Sequence, residues 1–263
     1  MIVNDILNCI TEIAPLEWQE DYDNAGLQVG DLNAEVHKAL IALDVTEKLV
    51  DEAVEKHCDL IVSHHPLIFH GLKQLTPETY IERAVMKAVK HDIAILSMHT
   101  NLDNSYLGVS RALAERLGLQ NLRLLRPNLM DPECCGAGMI GEYETPMEEM
   151  AFLSLVSDVL GTPCLRHSAL TGKKIQKVAL CGGSGSPFMP DALENQVDAY
   201  LTADIKYHDF FAPDGIFLVD GGHFETEQFT KEIIKEIIQK KFPTFAAEIA
   251  ATPTNAVHYF CKK

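Results

Sequence analysis

The hydrophobic positions in the first half of the chain follow two alternating patterns. Apolar residues spaced three and four apart, typical of amphipathic helices, separate short continuous apolar runs that are typical of buried strands. The predicted helices cover 5–13, about 47–54, 76–90 and 110–117, and the predicted strands cover 36–45, 58–63 and 93–98. Thr46 is the expected N-cap of the second helix, and Gly118 is expected to end the fourth. This alternation predicts an α/β fold with a mostly parallel sheet.

Residues 121–135 lose this periodicity and gather Pro, Asn and Asp, which indicates a boundary between domains. A second α/β pattern follows, with helices expected over 146–160 and 225–241. Strands are expected over 177–181, 199–202 and 216–219. The pattern therefore predicts two α/β domains, each with a mostly parallel sheet.

Three of the predicted strands run into residues of metal-ligand type at their carboxyl ends. These segments are His64-His65, His99 to Asp103, and Asp220 to Glu227. Ligands bind at the carboxyl ends of parallel strands, so segments distant in sequence can meet there. His223 and Glu227 stand four residues apart, which places them on one face of a helix.

Adjacent histidines on an extended segment point in different directions and do not readily hold one ion together. His64 and His65 therefore indicate two neighbouring metal ions, an arrangement that recurs in hydrolytic sites. Imidazole and carboxylate ligands suit Zn, Fe or Mn better than Mg or Ca. The sequence predicts two divalent ions per subunit without fixing which metal is bound.

Other residues near these segments admit more than one interpretation. His99 is either a ligand, a residue that positions Asp103, or a general acid. His208 is either an acid or base facing the site or a capping or surface residue, and Asp220 and Glu225 are equally explained as helix-start or surface acids. The loop Cys181 to Ser186 could present backbone N–H groups to a phosphate, but a tight packing turn explains it better.

Charge and cysteine content narrow the functional classes. Twenty-two Lys and Arg against thirty-eight Asp and Glu give a net charge of −16, which disfavours nucleic-acid binding. No apolar stretch reaches the length of a membrane span. The seven cysteines include no C-x-x-C pair, so we expect a protein of the reducing cytoplasm.

Six segments together resemble the GTP cyclohydrolase I type 2 family, also called the NIF-three-like dinuclear metal proteins, in its short form without an inserted domain. In order along nearly the whole chain, they are Trp18 to Gly30, Ser63 to Phe69, His99 to Asp103, Cys181 to Gly185, Thr202 to His208 and Gly222 to Glu227.

This resemblance implies a set of metal ligands, an architecture and an assembly. The implied ligands are His64, His65, Asp103, His223 and Glu227. The implied architecture has a metal pair near the cleft between two α/β domains, within a toroidal homohexamer. Because the ligands at 223 and 227 must meet those at 64–103, we expect a discontinuous first domain of residues 1–125 with about 222–263, and a second domain of about 126–221.

The resemblance also implies an activity, the hydrolytic opening of the guanine imidazole ring of GTP. We therefore expect a dinuclear metal-dependent hydrolase that acts on a nucleotide or related small molecule through a metal-bridging hydroxide, with His99 or His208 moving protons. The alternative is a non-enzymatic regulatory or carrier assembly that binds metal.

Overall fold

The computed structural model describes residues 1–211 and 215–260, and its contacts divide the chain into two compact units. The first unit contains Met1–Leu102 and Thr230–Ala256. The second contains Asp103–Phe229 together with a C-terminal piece that begins at Val257. Both units are α/β structures, as the sequence predicts.

Helices and strands alternate through most of the chain. The α-helices are α1 (Val3–Thr11), α2 (Glu47–Glu55), α3 (Tyr80–Lys90), α4 (Thr100–Asp103), α5 (Val109–Arg116), α6 (Glu149–Leu160), α7 (Met189–Glu194), α8 (His223–Glu227) and α9 (Thr230–Lys241). Short 3-10 helices cover Leu16–Trp18, Ser186–Phe188 and Tyr207–Phe210. The strands are β1 (Gly26–Val29), β2 (Lys38–Ala42), β3 (Leu60–Ser63), β4 (Ala94–Ser97), β5 (Gln120–Pro127), β6 (Gly136–Glu148), β7 (Arg166–His167), β8 (Lys174–Leu180), β9 (Ala199–Thr202), β10 (Phe217–Asp220) and β11 (Ala246–Ile249).

The first unit is built on a five-stranded sheet in the order β1-β4-β3-β2-β11. The last four of these strands are mutually parallel, and β1 is antiparallel to β4. Strands β2, β3 and β4 are short apolar runs whose side chains, such as Leu40, Ile61 and Ile95, are fully buried. Such runs are typical of parallel strands covered on both faces, which is why the sequence pattern predicts them well.

Local capping fixes where the helices of the first unit begin. Thr46 caps α2 by accepting a hydrogen bond from the Leu49 N–H at 3.2 Å, as expected. Helix α3 begins at Tyr80, whereas the sequence predicts a start at Thr76 and Pro77. The reason is a reciprocal capping box in which Thr79 and Glu82 each accept from the other's backbone N–H.

The second unit is built on a six-stranded sheet in the order β5-β6-β8-β9-β10-β7. Strands β8, β9 and β10 are parallel, and the remaining neighbours are antiparallel, so this sheet is mixed rather than mostly parallel. Helix α6 covers the sheet and buries Phe152 against a core that includes Leu201 and Phe217.

Residues 121–135 are not a linker between domains. They contain most of β5, which pairs with β6 as an antiparallel hairpin inside the second unit. Helix α5 also belongs to this unit, because Leu113 and Leu117 pack in the same core as Phe152. The chain is therefore divided at 102/103 and 229/230, whereas the sequence placed the boundaries near 125 and 222.

The first unit is discontinuous, and its C-terminal contribution is α9 and β11. The sequence predicts one helix over 225–241, but residues 228 and 229 separate α8 from α9. Helix α8 belongs to the second unit, and α9 belongs to the first. Within residues 1–211 and 215–260, no helix combines the length and apolar character needed to cross a membrane.

Candidate metal centre

Three histidines of the first unit meet at the carboxyl ends of two neighbouring parallel strands. His64 and His65 follow β3, and His99 lies two residues beyond β4, which pairs with β3 in register at Ser63 and Ser97. The ring centroids of these histidines are 4.9 to 5.5 Å apart. One ring nitrogen of each lies within 4.8 Å of the others, so the three could hold a metal ion.

Each of these imidazoles is oriented by a hydrogen-bond acceptor at Nδ1. For His64 the acceptor is the Met98 carbonyl at 2.8 Å, and for His65 it is Asp44 Oδ1 at 2.7 Å. The Nδ1 of His99 lies 2.7 Å from Asp23 Oδ1. Because these acceptors require a hydrogen on Nδ1, the neutral ring carries its lone pair on Nε2. This arrangement is typical of histidines that bind metals through Nε2.

The carboxylate of Asp23 is fully buried and holds both His99 and the start of α4. It accepts from the Thr100 N–H at 2.9 Å and from the Thr100 hydroxyl. Burial alone would raise the pKa of Asp23, but the hydrogen bonds from His99 and Thr100 outweigh it and lower the pKa to about 2. Asp23 is therefore an anion that favours a hydrogen on His99 Nδ1.

Asp44 plays the corresponding part for His65. It lies two residues beyond β2, which places it at the same carboxyl end of the sheet as the histidines. Burial opposes ionisation, yet the hydrogen bond from His65 and one from Thr254 lower the pKa of Asp44 below its usual range.

The second unit contributes its own group of three ligand-type residues. Helix α8 places His223 and Glu227 on one face, with His223 Nε2 3.1 Å from Glu227 Oε2. Asp103, the last residue of α4, offers a carboxylate oxygen within 4.8 Å of one of Glu227. The Nδ1 of His223 lies 2.7 Å from Asp204 Oδ2, so this imidazole is oriented in the same way as those of the first unit.

The glycine-rich loop after β8 packs against these ligands. Gly183 has a positive φ of 59°, and a Cβ at this position would collide with Glu227 Oε1 and lie 3.2 Å from His223 Cε1. The Gly183 N–H donates to Thr226 Oγ1 at 3.0 Å. The loop is thus a tight packing turn, the interpretation that the sequence favours, and it supports α8.

The remaining predicted site residues lie elsewhere or have structural partners. His208 is exposed in the 3-10 helix Tyr207–Phe210, where its ring is 5.3 Å from that of Tyr207. Asp220 is a buried acid, not a surface one, and accepts from Arg166 at 3.0 Å and from the Ile205 N–H at 3.1 Å. Glu225 is also buried and lies in the first turn of α8, so it fits the expected helix-start role, and neither acid fits the surface role.

Sequence reasoning missed the three carboxylates that orient imidazoles, namely Asp23, Asp44 and Asp204. Asp44 and Asp204 each follow a strand, by the same rule that identified the histidines, so that signal could have found them. Asp23 lies in the turn before β1, and nothing in its local pattern indicates a role.

The donor set fits divalent metal ions. The first unit offers three imidazoles, and the second offers one imidazole and two carboxylates. Such nitrogen and oxygen donors suit Zn, Fe or Mn. The carbonyl or carboxylate at each Nδ1 supplies the supporting contacts that histidine ligands need.

Comparison with known proteins identifies the family to which the chain is similar and several of its relatives. A family model described as Duf34/NIF3 (NGG1p interacting factor 3) matches residues 1–256. A protein of Clostridium perfringens (strain 13 / Type A) named "GTP cyclohydrolase 1 type 2 homolog" is 36% identical over 231 residues, or 86% of this chain and 87% of its own. A Streptococcus pneumoniae serotype 4 protein with the same name is 32% identical over 247 residues, or 92% of each chain.

Solved structures show the same fold. The crystal structure of Staphylococcus aureus protein SA1388 matches with a TM-score of 0.90 and 27% identity, covering 99% of both chains. A Bacillus cereus protein related to NIF3 matches with a TM-score of 0.92, also over 99% of both chains. At 24% identity, this second match shows the fold alone.

Proposed function

Because the chain belongs to the Duf34/NIF3 (NGG1p interacting factor 3) family, we propose that it is a dinuclear metal-dependent hydrolase acting on a nucleotide or a related small molecule. Relatives that are 32% and 36% identical carry the name GTP cyclohydrolase 1 type 2 homolog, which supports a nucleotide substrate.

One observation carries the proposal: four histidines each direct Nδ1 to a carbonyl or carboxylate oxygen at 2.7 or 2.8 Å. His167 also places Nδ1 2.7 Å from the Ser168 carbonyl, so the hydrogen bond alone does not mark a ligand. The four differ from His167 because each also lies in a group of His or carboxylate side chains that could hold a metal ion, and the combination points to metal binding through Nε2. Carboxylates supply three of the four partners and add basicity to the imidazoles they hold.

We assign the ligands of two divalent ions, Zn, Fe or Mn, to His64, His65, Asp103, His223 and Glu227. Asp103 follows His99 by four residues, so the chain itself joins the two groups of ligands. Bound ions of this type supply an activated water and polarise a substrate oxygen or nitrogen. Glu227 and Asp103 would balance the positive charge of the ions, and Asp23, whose side chain is 0% exposed, keeps the hydrogen of His99 on Nδ1.

Proton transfer during hydrolysis needs a group with a pKa near neutrality, and imidazole is the usual choice. His99 is the favoured candidate, because its ring is 5.3 Å from that of His64 and 5.5 Å from that of His65. His208 is the second candidate, and its exposure would let it exchange protons with solvent. We also propose the homohexamer that the family resemblance implies and the cytoplasmic location expected from the cysteine content.

A second function is a regulatory or carrier assembly that binds metal without catalysis. The family description, NGG1p interacting factor 3, favours it, because that description names an interaction rather than a reaction. Such a protein would release its ions readily to chelators and would turn over no substrate.

The deciding experiment combines metal analysis with a substrate screen on metal-reconstituted, untagged protein. We expect about two ions per chain and metal-dependent turnover of at least one nucleotide or phosphoester. His65→Ala should lose both metal and turnover. His37→Ala is the matched control, because His37 also pairs Nδ1 with a carboxylate, that of Asp59 at 3.1 Å, but its side chain is 79% exposed.

The outcomes separate the two functions. Loss of metal in His65→Ala with unchanged turnover would contradict the hydrolase proposal. Bound metal that exchanges readily, with no turnover across the screen, would support the carrier instead.

A further inference from the structure

Two aromatic side chains of the first unit contact each other, and one of them, Phe69, also lies beside His99. The Phe69 ring is 6.0 Å from the His99 ring and 6.3 Å from the ring of Tyr22. The Phe69 ring is also 5.0 Å from the ring of His70, its neighbour in the chain. Tyr22 and Phe69, here called the Tyr22–Phe69 pair, therefore form an aromatic surface next to His99, with their ring planes inclined by 45°.

The turn that carries Tyr22 is fixed to the site on one side. The next residue, Asp23, bonds His99 Nδ1 and the Thr100 N–H, and the Glu20 N–H donates to Thr100 Oγ1 at 2.9 Å. Tyr22 therefore stands between two anchored residues. Its backbone is held in place before any ligand arrives.

The segment that carries Phe69 is tied to the same turn. Asn24 Nδ2 donates to the Ile68 carbonyl at 2.6 Å, and the Ile68 N–H donates to Gln28 Oε1 at 3.1 Å. These bonds cross-link the chain next to Phe69 with the chain next to Tyr22. The two rings consequently belong to one preorganised surface, which reduces the entropy lost on binding.

Exposure distinguishes this pair from ordinary core packing. Tyr22 is 64% exposed, although burial of an aromatic ring in the core would be favourable. Phe69 is only partly buried. Exposed aromatic surface held beside a polar site is suited to stacking against a flat ring, because every heteroaromatic ring offers a π face.

We propose that the Tyr22–Phe69 pair binds the planar heteroaromatic ring of the substrate, a nucleobase or a ring of that class. Phe69 contacts His99, whose ring is itself within 5.5 Å of both other histidines of the first unit. A ring stacked on the pair is thereby held next to the candidate metal ligands. This inference rests on the proposed function, because it names the substrate class for the same site.

Calorimetric binding of two ligands tests the inference, with both metal-free and Zn²⁺-loaded protein. Guanosine 5′-monophosphate carries the ring, and ribose 5-phosphate has the same sugar and phosphate without it. We expect the wild type to prefer the nucleotide, and Tyr22→Leu and Phe69→Leu each to reduce that preference about tenfold. Tyr80→Leu is the control and should keep the preference for the nucleotide. Tyr80 is 55% exposed at the start of α3, and among the ring contacts of the described residues it has none with His64, His65 or His99.

Each outcome decides one question. The inference is overturned if the wild type binds both ligands with equal affinity. It is also overturned if both variants keep the full preference for the nucleotide, even if they lose metal or thermal stability. A preference that the variants lose, without metal-dependent turnover of any substrate, upholds the inference and contradicts the hydrolase proposal. Should Phe69→Leu fail to fold, Tyr22→Leu alone decides, since removing an exposed ring leaves the core intact.

Discussion

The Oδ1 atom of Asp23 lies 2.7 Å from Nδ1 of His99, joining a turn before β1 to the end of β4. The side chain of Asp23 is 0% exposed, and the hydrogen bond from His99 is the contact that most lowers its pKa. Through this contact, Asp23 sets the orientation of the His99 imidazole, which is the third histidine of the group in the first unit.

We expect Asp23→Asn to weaken metal binding about 10- to 100-fold. The neutral amide holds His99 less firmly, and the His99 ring packs 5.3 Å and 5.5 Å from the rings of the assigned ligands His64 and His65, so these lose a support. A chelator competition with Zn²⁺ measures the change. Asp21→Asn is the control, since Asp21 lies in the same turn but is exposed. Equal affinity of the two variants would contradict the role assigned to Asp23.

Gly183→Ala should displace Glu227 and lower metal affinity. The new Cβ would meet the Glu227 carboxylate, and the positive φ of 59° adds strain of about 1–2 kcal/mol. Gly172→Ala separates the two effects, because Gly172 has a φ of 73° but no atom within 4 Å of the added Cβ. If both variants lose stability equally and retain the metal, the collision with Glu227 has no consequence.

Glu52 predicts a pH-dependent contribution to folding away from the metal ligands. Its carboxylate accepts from the Ala251 and Thr252 N–H groups at 2.7 Å each and pairs with Lys56 at 2.8 Å. Burial alone would raise the pKa of Glu52, but these bonds lower it from 4.5 to about 2. The lowered pKa means that Glu52 stabilises the fold above pH 4.5 and that this contribution is lost as the pH falls to about 2.

Urea unfolding at several pH values checks this contribution. Glu52→Gln should lower the free energy of unfolding by about 1–3 kcal/mol near neutral pH, and the difference should shrink in acid. Glu55→Gln, an exposed residue on the same helix, should change little. A difference between Glu52→Gln and wild type that does not depend on pH would contradict the assignment.

Metal should stabilise the folded chain without being required for folding. Both units have buried cores, so removal of metal by a chelator should leave the far-ultraviolet circular dichroism unchanged. At a free metal concentration of about 100 times Kd, the stabilisation is about 2.7 kcal/mol, which raises the melting temperature by several degrees. His65→Ala should show a smaller rise, measured by calorimetry, and an equal rise would remove His65 from the ligands.

The histidines of the first unit were predictable because parallel strands share one edge and each candidate directly follows a buried run. The orienting role of Asp23 was not, because its partner His99 is far along the chain and no periodic signal connects them. Metal-ligand residue types are visible in a sequence, whereas the contacts that orient them depend on the fold.

The hairpin of β5 and β6 escaped prediction for a related reason. In β5 only Leu124 and Leu125 are buried, so the strand shows neither a continuous apolar run nor strict alternation. Edge strands of this kind are stabilised by backbone pairing that local hydrophobicity does not record. The break between α8 and α9 was hidden because apolar spacing continues beyond it, while the chain changes units at Phe229 and Thr230.

The pairing of β11 with β2 has a consequence for synthesis of the protein on the ribosome. β2 pairs with β3 on one side, but it receives its second parallel neighbour only when Ala246–Ile249 has been made, after the whole of Asp103–Phe229 has been synthesised. Until then β2 is an open, apolar sheet edge of the type that pairs with other chains. The internal unit is therefore the first that can complete its sheet, reversing the usual order in which the N-terminal domain folds first, and the nascent first unit is the part most in need of a chaperone.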